Sequence, residues 1–285
     1  MRVFILSAVL ALASCGGQVA AKPLNICLQP SDRIEVMRNC DAVIQPTPEL
    51  DPVKSAAQQA TLGPNVIGWL GGDPFEKVTA QGAITPRIMS RAVAYVNAMA
   101  PYSNIGWIYA ADEFGWCENR HCLAEYTPQL LAIATATHAV GKKVLISVLP
   151  GTIAQFPDAQ LEGINQIDGI SIDIYPSMML AADFGNCAYS ANPYETLLYC
   201  SIQKLRRMGF TGQVGYIAQG FALTTDDPAT LLTNLKLQRV ALDNAGAIGA
   251  VATMVWGCHL SAEWIAAEPY LVPLCNTQYE GLVTP

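Results

Sequence analysis

Three carboxylates carry the chemistry this chain can be expected to perform. Asp112 and Glu113 are adjacent and end the apolar run Asn104-Ile-Gly-Trp-Ile-Tyr-Ala. Asp173 lies in Gly169-Ile-Ser-Ile-Asp-Ile-Tyr-Pro, where Ile170, Ile172 and Ile174 alternate with Ser171, Asp173 and Tyr175. Side chains of a strand alternate between its faces, so the isoleucines belong to one face and the polar set to the other. Carboxylates brought close repel each other's charge, and one of them keeps a proton near neutral pH. Such a group donates a proton while an ionised partner attacks carbon or activates water. Asp73, after Gly71-Gly72, is a further candidate at the end of an apolar run. Other nucleophile systems fail on inspection. There is no G-x-S-x-G, since Gly169-Ile-Ser171-Ile-Asp173 ends in Asp, and there is no H-E-x-x-H. Of the three histidines, His121 and His259 fall in loops and His138 in a helix, where a structural role is expected.

The acids must be positioned by something, and the body of the chain reads as alternating strands and helices. Strands are expected at Leu24–Gln29, Asp41–Gln45, Asn65–Leu70, Asn104–Ala110, Lys143–Leu149, Gly169–Tyr175, Gln213–Gln219 and Ala250–Trp256. Helices are expected near 51–61, 86–100, 127–140, 193–208 and 228–245. Thr85-Pro86, Thr127-Pro128, Asn192-Pro193 and Asp227-Pro228 each pair a capping oxygen with a proline suited to the first helical position. Gly141, Gly209 and Gly246 fall where such helices should stop. The repetition implies a parallel sheet with helices outside, and eight strands in this length suit an α/β fold of the TIM type, a single-domain (β/α)8 barrel over residues 22–285. An open doubly wound sheet would show a glycine-rich phosphate turn, and neither G-x-G-x-x-G nor G-x-x-x-x-G-K-[ST] is present. Residues 258–285 are expected to strap the barrel. In a barrel, functional residues gather at the C-terminal strand ends, where Asp112, Glu113, Asp173, Tyr175, Gln219 and Trp256 all fall.

This layout resembles the TIM-barrel glycoside hydrolases. In the clan with carboxylates on strands four and seven, an Asn-Glu pair ends strand four and its Glu is the general acid/base; Asp112-Glu113 matches that position with Asp in place of Asn. A tryptophan ending strand eight floors the sugar subsite there, and Trp256 matches. The strand-seven nucleophile is not matched: Gln219 stands in its place, and an amide cannot form a glycosyl ester. Other clans of this superfamily pair strands four and six, which would join Glu113 or Asp112 to Asp173. On that reading Glu113 is the acid, Asp173 the nucleophile or base, and Asp112 a hydroxyl ligand or a substitute for either. A separation of about 5–5.5 Å would imply retention, and roughly 6.5–9.5 Å inversion. Trp116, Tyr175, Trp256, Gln219 and Asp73 are the expected sugar contacts, since an indole or phenol ring stacks on the apolar face of a sugar. The loop 114–126, pinched by Cys117 and Cys122, would form a subsite wall. The rivals to a hydrolase are a non-catalytic carbohydrate-binding barrel and an envelope scaffold with a closed mouth.

Composition agrees with a folded, exported protein. Hydrophobic residues make up 52% of the 285 residues and charged residues only 14%, which excludes disorder. Sixteen Lys and Arg against 23 Asp and Glu give −7, the wrong balance for nucleic acid. Met1-Arg2 and the apolar stretch Val3–Ala13 form a signal segment over residues 1–21, too short to span a membrane. Leu12-Ala13-Ser14-Cys15-Gly16 resembles a bacterial lipobox, which would lipidate Cys15 and tether the chain to a membrane by that anchor alone. Ordinary cleavage after Val19-Ala20-Ala21 is the alternative. Either route removes Arg2 and takes the mature chain to near −8. The periplasm or cell surface is the expected location. Apart from Cys15, eight cysteines remain: Cys27, Cys40, Cys117, Cys122, Cys187, Cys200, Cys258 and Cys275. Nearest-neighbour disulfides would staple four local excursions. With no Cys-x-x-Cys and few histidines, a metal site is not expected, and no cofactor is implied.

Overall fold

The computed structural model describes residues 23–28, 40–44, 51–70, 86–114, 116–117, 120–121, 123–156, 163–177, 182–258, 265–266, 268–275 and 277–283. Eight parallel strands close into a barrel: β1 (Leu24–Leu28), β2 (Ala42–Ile44), β3 (Val66–Trp69), β4 (Ile105–Ala111), β5 (Lys143–Val148), β6 (Gly169–Ile174), β7 (Gln213–Gln219) and β8 (Ala252–Trp256). Each strand pairs with its neighbour in sequence, and β1 closes the ring on β8 through Leu24–Cys27 opposite Ala252–Val255. Around it lie α1 (Pro52–Ala60), α2 (Pro86–Met99), α3 (Leu123–Ala139), the short α4 (Pro150–Ala154), α5 (Pro193–Arg207) and α6 (Pro228–Ile248), with α7 (Glu280–Val283) in the tail.

The alternation read on β6 holds in space. Ile170, Ile172 and Ile174 join the apolar layer between barrel and helices, together with Val144, Ile146 and Val148 of β5 and Val214, Tyr216 and Ala218 of β7. Burying an isoleucine there contributes about 1.5–3 kcal/mol. A second cluster fills the barrel interior with Ile26, Ile44, Ile67, Trp69, Tyr109, Leu145, Ile217 and Met254. Proline-led helix starts also hold at two of the expected places. Asn192 accepts the Tyr194 N–H at 3.0 Å, and Asp227 accepts the Thr230 N–H at 2.9 Å. Asp51 caps α1 in the same way through the Val53 and Lys54 amides.

Two boundaries differ from expectation. Helix α3 begins at Leu123, so Thr127-Pro128 lies inside it rather than at its start. Pro128 is the sixth helical residue, so it removes one early intrahelical bond without ending the helix. Helix α6 runs past Gly246 and stops at Gly249, whose φ of 114° is the left-handed conformation that glycine tolerates. Gly141 and Gly209 do end their helices, at φ 73° and 87°.

Three of the four expected cysteine pairs meet at disulfide distance: Cys27 with Cys40, Cys187 with Cys200, and Cys258 with Cys275, with Cα separations of 5.8, 6.0 and 4.9 Å. Cys122 lies outside the described residues, as do Asp73, His259, Cys15 and the whole segment 1–21. The tail behaves as a strap. Its Leu271–Pro273 pairs antiparallel with Phe221–Leu223, just past the end of β7, and the Cys258–Cys275 link ties it to the segment just after β8.

Candidate active site

Strand β4 delivers its acids through an irregularity. Ile105 and Ile108 face the helices, while Trp107 and Tyr109 face the interior. Between Tyr109 and Ala111 the register against β5 slips, so Ala110 and Ala111 both turn outward to the helix layer. The extra residue reverses the parity of the residues after it, as a β-bulge does. Asp112 therefore lands on the same side as Tyr109, whose hydroxyl donates to Asp112 Oδ1 at 2.6 Å. Glu113 then takes a φ of 43°, the only positive φ at a non-glycine residue among those described. A residue held this way costs of order 1–3 kcal/mol, and such strain collects at functional sites. Two bonds to β5 hold the turn: the Glu113 N–H donates to Ser147 Oγ at 2.8 Å, and the Phe114 N–H to the Ser147 carbonyl at 2.8 Å.

Ser147 links the acids. Its hydroxyl donates to Asp112 Oδ1 at 2.8 Å while accepting from Glu113, so Asp112 receives two hydroxyl donors on one oxygen. Ser147 stands opposite Ser171 in the sheet, one inward step below Asp173. Asp173 is completely buried, and neither of its oxygens has a hydrogen-bond partner. Burial, then the charges of Asp112 and Glu113, hold its carboxyl well above the usual carboxylate range. The nearby Ser147 hydroxyl pulls the other way, but it is directed at Asp112 and is the weakest contribution. Burial and the neighbouring charges thus favour the protonated form of Asp173. Burial, then the charges of Asp112 and Asp173, raise the Tyr109 phenol well above its ordinary value; burial, then Asp173, Asp112 and Glu113, do the same to Tyr175, so both remain neutral.

Aromatic rings wall the acids on two sides. Trp69 and Tyr109 lie 4.9 Å apart between centroids. Across the interior, Tyr175, Phe221 and Trp256 form a cluster with centroids 5.0–5.9 Å apart. Tyr175 is buried and Trp256 half-buried, so Trp256 is the ring of that cluster with surface to offer. From the strap, the Tyr270 phenol is pushed up to about 12, chiefly by its hydrogen bond to Glu268, with Glu113 adding a smaller repulsion.

Gln219 ends β7 with its side chain engaged on protein. Its amide nitrogen donates to Ser177 Oγ at 2.6 Å and to the Phe221 carbonyl at 2.7 Å, and its oxygen accepts the Ser177 N–H at 2.9 Å. Its backbone is gripped by Gln238 of α6, which takes the Gln219 N–H and donates to the Gln219 carbonyl. Gln59 of α1 grips Trp69 at the end of β3 in the same two-bond manner. The geometry makes Gln219 a brace for the turns after β6 and β7. Trp116 lies in a two-residue strand opposite His121. His138 pairs with Asp168 at 2.8 Å, and Asp168 also takes the Val144 N–H, so this histidine ties α3 to the strand starts.

The structure thus brings Asp112, Glu113 and Asp173 to one rim with Tyr175 and Trp256. Tyr109 and Ser147 were not singled out from the sequence, although each interrupts the apolar character of a barrel strand. No group of three or more metal-ligating side chains occurs among the described residues. None of the described helices is long and apolar enough to cross a membrane.

Comparison with solved structures now bears on the fold. An endo-beta-1,4-xylanase of glycoside hydrolase family 10 from Gloeophyllum trabeum superposes over 93% of this chain and 98% of its own, with a TM-score of 0.53 at 11% identity. The chain shares the TIM-barrel fold of that enzyme. A chitinase from Rhizomucor miehei covers 85% of this chain and 96% of its own at 13% identity, with a TM-score of 0.48. The PgaB (BpsB) glycoside hydrolase domain from Bordetella bronchiseptica covers 92% and 99% at 12% identity, with a TM-score of 0.45. No family model matches the sequence, and no curated protein does.

Proposed function

We propose that this protein hydrolyses an O-glycosidic bond at the C-terminal mouth of its barrel. The observation that carries the proposal is the acid cluster: Asp112 held by two hydroxyls, Glu113 on a strained turn beside it, and Asp173 fully buried near both. Asp112 and Glu113 are only half-buried and can meet a substrate, whereas Asp173 is enclosed. This favours a division of labour different from the one expected from the sequence. Glu113 remains the group placed to protonate a leaving oxygen. Asp173, enclosed and without a hydrogen-bond partner, acts on the pair through space, and Asp112 orients a hydroxyl or water as base. Trp256 offers a ring face to the sugar; Trp116 would add a second ring and Asp73 an acceptor for a sugar hydroxyl. The substrate class is carbohydrate. Three cysteine pairs at disulfide distance fit an oxidising compartment. An exported chain, anchored through a lipid at Cys15 in the cell envelope, completes the proposal.

The test is reducing-end release from a panel of soluble polysaccharides by the parent, Glu113→Gln, Asp112→Asn and Asp173→Asn. Glu113→Gln should lose turnover by at least a hundredfold while retaining binding, and the parent should show a bell-shaped pH profile. Parent-level release by Glu113→Gln on every glycan cleaved would remove that residue from the chemistry. Gln219 favours a second reading, since β7 ends in an amide engaged on Ser177 and Phe221 rather than in a carboxylate. A carbohydrate-binding barrel without turnover would show saturable glycan binding with no release from any substrate.

A further inference from the structure

The opposite end of the barrel holds a cavity that the acid cluster does not use. It has a volume of about 470 Å³, within the range of small-molecule sites. Barrels of this kind normally fill their interior with layers of branched side chains. Here several low inward positions are small: Ala42 on β2, Gly215 on β7 and Ala252 on β8, with Gly106 at the irregular start of β4. Gly215 is small of necessity, because a Cβ there would stand 2.7 Å from Ser171 Oγ. The space left is walled by Ile26, Ile67, Trp107 and Leu145. Leu24 and Val251, 52% and 43% exposed, form an apolar lip.

Two features say what would fit. Ser171 also lines the cavity, is 1% exposed, and its hydroxyl has no hydrogen-bond partner. Leaving such a group unpaired is unfavourable, and a ligand oxygen would satisfy it. The second feature is charge. Among the lining residues only Asp41 is ionisable, and its carboxylate already accepts the Asn25 N–H at 2.7 Å. No lysine or arginine lines the cavity, and the Lys143 ammonium beside the Trp107 ring is offset by the Asp41 carboxylate, so a neutral occupant fits best. The indole of Trp107 adds a ring surface, steadied by the Lys143 ammonium 5.1 Å from its centroid.

We infer that this N-terminal cavity is a second binding site, which takes a small, neutral, largely aromatic molecule whose hydroxyl pairs with Ser171. The site lies outside the acid rim, and the inference does not depend on glycoside hydrolysis.

The probe is 2-naphthol, followed by the anisotropy of its own fluorescence on the full chain, with naphthalene and 2-naphthoate as competitors. Binding at or below about 1 mM is expected, with naphthalene weaker and 2-naphthoate weaker still. Ser171→Ala should weaken 2-naphthol by roughly three- to tenfold and leave naphthalene unchanged. Ala252→Phe should abolish binding of both by filling the space. Gly106→Leu provides a second filling variant, because a Cβ there meets no atom within 4 Å and the backbone is not in the left-handed region. Melting temperatures confirm that each variant is folded. The inference is overturned if the folded parent binds no probe, or if neither filling variant weakens binding. Binding lost in Glu113→Gln would place the probe at the mouth and overturn it too, as would equal affinity of Ser171→Ala and the parent for 2-naphthol.

Discussion

Replacing Asp173 by asparagine tests the electrostatics of the site without reference to any substrate. In the folded chain the carboxyl is fully buried, lacks hydrogen-bond partners and faces two other acids, so its pKa is raised. In the unfolded chain it titrates near 3.9. Between these values the folded state binds the extra proton. The acid form is therefore the one that favours folding, and stability falls as pH rises from about 4 toward the folded pKa. Within that window one group contributes a slope of about 1.4 kcal/mol per pH unit. For a domain of this size 1 kcal/mol shifts the melting temperature by about 2–4 °C. Asparagine resembles the protonated acid in shape and cannot ionise. Parent and variant should melt together near pH 4. With each further pH unit the parent should lose roughly 3–5 °C relative to the variant, until Asp173 is ionised. Thermal melts followed by circular dichroism from pH 4 to 8 measure this, and subtracting the variant's curve cancels the other carboxylates. Parallel curves would refute the claim that Asp173 is buried beside Asp112 and Glu113.

Other outcomes rest on individual contacts. Ser147→Ala removes the donor to Asp112 and the acceptor for the Glu113 amide, and each bond contributes about 0.5–1.5 kcal/mol. If hydrolysis occurs, its kcat should fall with KM nearly unchanged; steady-state kinetics with intact binding would show it, and an unaltered kcat would mean that the turn holds without Ser147. Gln219→Glu restores the carboxylate type at the end of β7 but sets an oxygen against the Phe221 carbonyl where an N–H now donates. It should gain no activity and should melt several degrees lower at pH 7 than at pH 5, because the buried acid prefers its proton; a rise in glycan release would contradict the bracing role of Gln219. Cys258→Ser combined with Cys275→Ser opens a 17-residue separation, and denaturant titration should show a loss of about 3 kcal/mol.

How much of this was readable in advance depends on how local the determining forces are. The strand positions were legible because burial on one face writes a period of two into residues such as Ile170, Ile172 and Ile174. The starts of α5 and α6 were legible because Asn192 and Asp227 act within three residues of themselves. The start of α3 was misplaced because Thr127-Pro128 has a capping pattern that the fold does not use. The inward turn of Asp112 was expected, but its cause was not visible. Simple alternation from Tyr109 would have sent Asp112 outward, and the slip that corrects it depends on how β4 registers against β5. Ser147 escaped notice for a related reason. A serine in an apolar strand has no stated role until the residue opposite it is known.

By itself, the chain determined a ring of parallel strands wrapped in helices and the presence of acids at the C-terminal strand ends, whereas the pairing of Cys27, Cys187 and Cys258 with Cys40, Cys200 and Cys275 was one hypothesis among many, which the structure selected. The ring and its acids arise from periodicity, which local sequence encodes. Tertiary structure alone decided that Asp173 is buried beside two other acids, that Gln219 is engaged as a brace, and that the far end of the barrel is hollow. Each of these depends on which groups from distant strands share one small volume. Desolvation and charge repulsion act through space, with no regard for distance along the chain.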